Sequence, residues 1–163
     1  MRTIIIYYSL DGNTEFIARK VAQDLNASLL KLEPEKEYPK GSVSKYVWGG
    51  KSVVFGEKPR LKPYNFQKEM YDVIILATPI WASSFTPPIR SFLTTNDLIN
   101  KKIGLISCSA GGDTQKCRQQ ILELTKSSAF LAELNLIEPL KMDVNIVNHQ
   151  ILEFCTKLHE NFG

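Results

Sequence analysis

Three stretches of this chain, residues 2–8, 71–78 and 102–107, are apolar without polar alternation and rich in Ile and Val. Each stops in a loop of small, hydroxyl-bearing or glycine residues, and a helical pattern then begins. A strand apolar on both faces needs cover on both, and parallel neighbours need long crossover connections, which helices supply. That combination leaves few folds open to the chain.

The remaining pattern fills in the architecture. Ile17, Val21 and Leu25 at spacing four, with Ala18 and Ala22 beside them, predict an amphipathic helix over Asn13–Leu25. Ser28–Leu32 reads as a short strand. Residues 34–70 hold no long period, being cut by Pro34, Pro39, Pro59 and Pro63 and by Gly41, Gly49, Gly50 and Gly56, with a short helix expected over Ser42–Trp48. Pro87-Pro88 suit a helix's first turn. A helix over Thr114–Phe130, a weaker strand over Leu134–Leu140 and a last helix with Val144, Val147, Ile151, Phe154, Cys155, Leu158 and Phe162 on one stripe complete the chain. Five strands joined by right-handed crossovers give an α/β, doubly wound three-layer sandwich, its parallel sheet in the order 2-1-3-4-5. At 163 residues, 1–163 is expected to form a single domain.

Composition removes several function classes. A net charge of +3, with no Lys/Arg run longer than two, is too mild and too interleaved for nucleic-acid binding. No stretch reads as a signal peptide or membrane span, so a cytoplasmic protein without membrane insertion is expected. Three widely spaced cysteines predict neither a disulfide framework nor a metal site. Cys117 and Cys155 fall on apolar helical stripes as small core residues. Cys108 follows the third long strand, where a core or site-lining role outweighs a redox thiol. His149 and His159 read as solvated surface residues.

In a doubly wound sheet, ligands bind beyond the carboxyl ends of the strands. Those ends read Ser9–Thr14, Thr78–Ser83 and Ser107–Asp113. Ser9-Leu10-Asp11-Gly12-Asn13-Thr14 opens directly into a helix, whose free N–H groups and dipole favour an anion. Its single glycine and lack of lysine fit neither GxGxxG nor a triphosphate loop, and suit one terminal phosphate. Trp81, in the second loop, is a candidate for stacking on a flat ligand.

The pattern resembles the flavodoxin family, whose phosphate loop has the form Ser/Thr-x-Thr-Gly-x-Thr. The resemblance extends over essentially the whole chain: Thr78-Pro79-Ile80-Trp81 followed by Pro87-Pro88-Ile89 looks like the first flavin-contacting loop, and Ser107–Asp113 like the second. It implies FMN as cofactor. Ser9, Asp11, Gly12, Asn13 and Thr14 would surround the phosphate, and Thr78, Pro79, Ile80, Trp81 and Ala82 would meet the ribityl chain and ring. Ser107, Cys108, Ser109, Gly111, Gly112 and Asp113 would line the pyrimidine side. No catalytic side chain and no metal are implied, since the flavin carries the chemistry.

Four departures bear on function. Asp11 replaces a family hydroxyl and is expected to turn from the phosphate. The third loop has no aromatic, leaving one ring face open or covered by Trp48, Tyr46 or another molecule. Thr78–Ser83 contains no glycine, whereas many flavodoxins flip a glycine peptide there to stabilise the one-electron-reduced flavin. Pro79 and Ile80 are poorly suited to the positive φ such flips often need. The net +3 also lacks the strong acidity of typical flavodoxin carriers. An electron carrier between redox partner proteins therefore stands first, and an NAD(P)H-dependent quinone or flavin reductase second, using a small-molecule acceptor. A binding module that has lost FMN stands third. Both a monomer and a homodimer fit. A response-regulator receiver is excluded, because Tyr7-Tyr8-Ser9 stands where its acidic residues belong.

Overall fold

The three apolar runs form the middle of one sheet. A computed structural model describes residues 1–39 and 50–163; the expected Ser42–Trp48 helix and the cover by Tyr46 or Trp48 lie outside them. The elements are β1 (Thr3–Tyr7), α1 (Asn13–Leu25), β2 (Ser28–Lys31), β3 (Val73–Trp81), β4 (Ser84–Phe85), α2 (Pro87–Thr95), β5 (Lys102–Ser109), α3 (Gln115–Thr125), β6 (Glu133–Ile137) and α4 (Val144–Phe162). Residues 50–54 are also helical. Parallel strands lie in the order β2-β1-β3-β5-β6, which is the expected 2-1-3-4-5 path, and β4 adds antiparallel to the end of β3. The register sets Ile5 beside Ile75 and Leu76 beside Leu105.

Side chains alternate across a strand, so the Ile-rich runs feed two cores. Ile5, Tyr7, Ile75 and Ile106 pack with Ile17 and Val21 of α1 and Ile151, Phe154 and Leu158 of α4. Ile4, Ile6, Leu76 and Leu105 face Ile89 and Phe92 of α2 and Ile121 of α3. Each fully buried Ile or Leu contributes on the order of 2 kcal/mol. At Gly104 a Cβ would stand 3.2 Å from both Ile75 Cγ1 and Leu158 Cδ1, so α4 approaches the sheet only because this position has no side chain. Cys117 and Cys155 are buried, as expected, and His149 and His159 are exposed.

Several boundaries differ from the expectations. β3 runs on through Pro79 to Trp81, so Thr78–Trp81 is strand rather than loop. Pro79 is tolerated because β1 has already ended opposite Ala77, and its missing N–H costs no ladder bond on that side. α3 stops at Thr125, not Phe130, where Lys126 takes a left-handed conformation with φ 53°. β6 ends at Ile137, short of Leu140, because Glu138 is left-handed and starts a 3₁₀ turn at Pro139–Lys141. Val144 does not join the apolar stripe of α4 but stands 51% exposed. Beyond β2, Glu35 N–H donates to the Arg60 carbonyl at 2.8 Å and Lys62 N–H to the Glu33 carbonyl at 2.7 Å. Tyr64 and Phe66 then pack on Phe92 of α2, at ring separations of 5.9 and 5.1 Å. Among the described residues no helix is long and apolar enough to cross a membrane, and no group of His, Cys, Asp and Glu is placed to hold a metal ion.

Candidate functional site

The carboxyl ends of β1, β3 and β5 converge on a cleft of about 330 Å³. Of the residues singled out in the sequence, Ser9, Asp11, Asn13, Thr14, Pro79, Ile80, Trp81, Ala82, Cys108, Ser109, Gly111, Gly112 and Asp113 line it.

One end of the cleft is the start of α1. The N-cap, Gly12, is left-handed at φ 89° and has no side chain with which to cap the helix. Asn13 is occupied elsewhere, its Oδ1 accepting from Leu140 N–H at 3.1 Å. The first-turn N–H groups are thus not spent on a capping side chain. Beside them the Ser9 and Thr14 hydroxyls are buried and have no hydrogen-bond partner. Leaving a buried hydroxyl unpaired costs about 1–3 kcal/mol, so two at one helix N-terminus suit an oxyanion that accepts from both. Asp11 is exposed at the rim.

The second wall is the β3–β4 hairpin. Ile80 pairs with Phe85 and Trp81 with Ser84. The two-residue turn between them is Ala82-Ser83, with φ 47° and 60°. Positive φ at both central residues is the hairpin-matching arrangement that glycine or asparagine normally supplies. Positive φ thus occurs in this glycine-free segment, at Ala82 and Ser83 rather than at Pro79 or Ile80, at a cost of about 1–2 kcal/mol per residue. The hairpin is anchored from below: Ser84 donates to Gln120 at 2.5 Å, and the Thr78 hydroxyl accepts from Thr86 N–H at 3.1 Å. Trp81 is half-buried and meets the rings of Tyr8 and Tyr38 edge-on, at centroid distances of 5.8 and 5.2 Å.

The third wall is the β5–α3 loop. Ala110, Gly111, Gly112 and Asp113 are exposed, and both glycines take positive φ, 123° and 109°. Asp113 turns to α3, accepting from Gln115 N–H at 2.8 Å. This loop offers backbone groups and no ring.

Three singled-out residues do not line this cleft. Thr78 is fully buried beneath the hairpin, and Ser107 is buried, donating to Asn135 Oδ1 at 3.2 Å. Both are interior strand positions that support the walls. Gly12 faces a neighbouring cleft of about 370 Å³ shared with Tyr8, Glu33 and Glu37. Leu10, Ser83 and Ala110 complete the lining from within the three loops, and Gly50 and Glu138 join it from outside them. Gly50 arrives from the segment without periodicity. Glu138 follows β6, so the rule that ligands sit beyond strand ends applied to the last strand would have found it. Its N–H donates to the Ser109 carbonyl at 2.9 Å, and Lys141 pairs with its carboxylate at 2.8 Å.

Burial pushes the Cys108 thiol up to about 12; the nearby Thr14 hydroxyl opposes this without reaching hydrogen-bonding geometry. Burial likewise raises Cys117 to about 12 and Cys155 to about 11. A thiol reagent at pH 8 is therefore expected to leave the native chain untouched and to titrate all three cysteines after denaturation. Fast labelling of one native thiol would contradict this assignment. The Tyr8 hydroxyl, buried and without a partner, is also raised, and Tyr38 is pushed up to about 12 by burial and by Glu57. Both stay protonated at physiological pH.

The comparisons agree with this geometry. No curated protein sequence matches the chain significantly. A solved protein of Bacteroides uniformis assigned as a flavoprotein superposes with a TM-score of 0.75 at 18% identity, covering 93% of this chain and 97% of that one. A Lactobacillus acidophilus flavoprotein in complex with FMN gives 0.68 at 17% identity, covering 83% and 91%. An NADPH-quinone reductase from P. pentosaceus gives 0.62 at 11% identity, covering 96% of each chain. At these identities the likeness shows the fold. FMN is the cofactor of the flavodoxin family, and the two unpartnered hydroxyls at the start of α1 fit its phosphate. The model of that family matches residues 2–144, and the chain belongs to it.

Proposed function

We propose that this chain is an FMN-binding redox protein that carries electrons between partners. The observation that carries the reading is the pair of buried, unpartnered hydroxyls, Ser9 and Thr14, at an uncapped helix N-terminus in a cleft walled on one side by Trp81.

FMN, when bound, supplies the reversible redox chemistry. The chain binds and orients it. Ser9, Thr14 and the first N–H groups of α1 donate to the phosphate, and Gly12 lets the backbone turn into the helix. Pro79, Ile80 and Trp81 form the apolar wall that excludes water from one side of the ring. Ser109, Gly111 and Gly112 present backbone and hydroxyl groups along the pyrimidine edge. Thr78 and Ser107 hold the two walls from beneath. Cys108 contributes a neutral, buried thiol. Asp113 lines the cleft while its carboxylate accepts from Gln115 N–H at the start of α3.

An NAD(P)H-dependent quinone reductase is the second reading. It is supported by the glycine-free hairpin, already committed to positive φ at Ala82 and Ser83, and by the reductase of P. pentosaceus among the structural neighbours. Purified protein is expected to be yellow, or to become so on FMN addition; a chain that stays colourless in excess FMN would sink both readings. Photoreduction of the yellow protein then separates them. A strong paramagnetic signal at half reduction supports carriage, whereas fast NAD(P)H oxidation with a quinone and no such signal supports the reductase.

A further inference from the structure

The neighbouring cleft of about 370 Å³ shares the β1–α1 loop with the first. Ser9 and Leu10 line both clefts, whereas Tyr8 and Gly12 line only the second. It opens beyond the carboxyl ends of β1 and β2, between the start of α1 and the chain that leaves β2.

Tyr8 carries the unexplained group. It is 2% exposed, and its buried hydroxyl has no hydrogen-bond partner. Tyr38 and Trp81 hold its ring edge-on, at centroid distances of 6.1 and 5.8 Å, so the hydroxyl is fixed where it stands. Burial, then the Glu37 carboxylate, then Tyr38 and Asp11 raise this hydroxyl, which makes Glu37 the charge that acts on it most strongly.

The other charges of the cleft are already answered. Glu15 Oε1 accepts from Arg19 at 2.7 Å and Oε2 from Lys31 at 2.9 Å, and Lys62 lies 3.6 Å from Glu33. Glu37 is exposed and, among the described residues, takes part in no ion pair. The cleft thus pairs an orphaned phenol oxygen with an unanswered carboxylate, and what both lack is a donor.

We propose that this second cleft binds the primary ammonium group of a small amine, held by the Tyr8 hydroxyl oxygen and the Glu37 carboxylate. An ammonium brings three N–H donors and no acceptor, and its bond to a carboxylate is charge-assisted. It ends the isolation of the buried hydroxyl. An anion would meet the cleft's carboxylates instead. A metal ion needs more ligands than are gathered here, since no group of His, Cys, Asp and Glu among the described residues is placed to hold one.

The amine site stands without the flavin; its coupling to the cofactor rests on the FMN reading. The Ser9–Thr14 loop has no lysine or arginine of its own, and an ammonium beside it attracts the phosphate dianion across Ser9. Each ligand then tightens the other by the same factor.

The test is a calorimetric titration of the full chain, with and without FMN, at an ionic strength held constant with NaCl. Putrescine is the probe and butanediol its uncharged counterpart. Saturable putrescine binding is expected, with the diol at least about tenfold weaker. Glu37→Gln should weaken putrescine about tenfold and leave FMN affinity in its absence unchanged. Tyr8→Phe keeps the ring against Trp81; it should weaken putrescine about fivefold and melt no lower than wild type. Saturating putrescine should tighten FMN about threefold in wild type and not in Glu37→Gln. Equal binding of the diol, wild-type putrescine affinity in both variants, or no saturable binding, with water as the sole occupant, would overturn the proposal. A chain that binds putrescine and stays colourless in excess FMN removes the flavin and keeps this site. A yellow chain that ignores putrescine keeps the flavin and removes the site.

Discussion

Replacing Thr14 with valine is expected to move two properties in opposite directions. The ligand-free protein should melt several degrees higher, because an isosteric methyl replaces a buried hydroxyl that has no partner. That hydroxyl costs about 1–3 kcal/mol, and in a domain of this size 1 kcal/mol shifts Tm by about 2–4 °C. FMN affinity should fall about ten- to a hundredfold, the worth of one hydrogen bond to a charged phosphate. Thr14→Ser keeps the hydroxyl and should keep the affinity. Thermal melts with and without FMN, together with a fluorescence titration, read both effects. If Thr14→Val instead lowers Tm and spares FMN binding, the hydroxyl is structural and the phosphate lies elsewhere.

Trp81→Ala should produce the larger loss of affinity, about two orders of magnitude in Kd. Removing an indole from a packed contact costs about 3–5 kcal/mol in a full core, and somewhat less where, as here, it is half-exposed. The loss has a second component. Tyr8 and Tyr38 hold Trp81 edge-on, so truncation also frees those rings. Trp81→Phe keeps an aromatic surface and should recover part of the affinity, while the visible bands of bound flavin shift in both variants. Unchanged affinity in Trp81→Ala would mean that the indole serves only the hairpin.

The elements legible in the sequence were those whose burial repeats regularly. α1 begins and ends where its apolar stripe and Gly12 place it, at Asn13 and Leu25, and the strand order follows from three runs apolar on both faces. Endpoints set by tertiary neighbours were not legible. β3 passes through Pro79 only because β1 is one strand-end shorter, and α3 stops early at a left-handed Lys126 that no glycine marks. Residues 57–67 read as patternless because isolated contacts hold them, the Pro34–Leu61 bridge and Tyr64 and Phe66 on Phe92, and none of these recurs at a period. In the site, loops contiguous in sequence were found as units. Glu138 was missed because only the folded sheet brings it to the cleft. Thr78 and Ser107 were placed one layer too high, since hydroxyl type alone does not tell a ligand contact from a strut.

The link between Asn13 and Leu140 has a consequence for the order in which the molecule becomes competent. Asn13 Oδ1 accepts from Leu140 N–H across 127 residues, and Leu140 Cδ1 stands 3.6 Å from where a Cβ on Gly12 would be. The Ser9–Thr14 loop is therefore braced by a turn that leaves the ribosome long after the loop itself. Closing so large a ring costs chain entropy that only the completed sheet offsets. A nascent chain that ends before β6 holds the Ser9 and Thr14 hydroxyls and lacks the brace on the loop between them. On the proposed reading, the loop takes its FMN-binding shape only after the turn that follows β6 has docked.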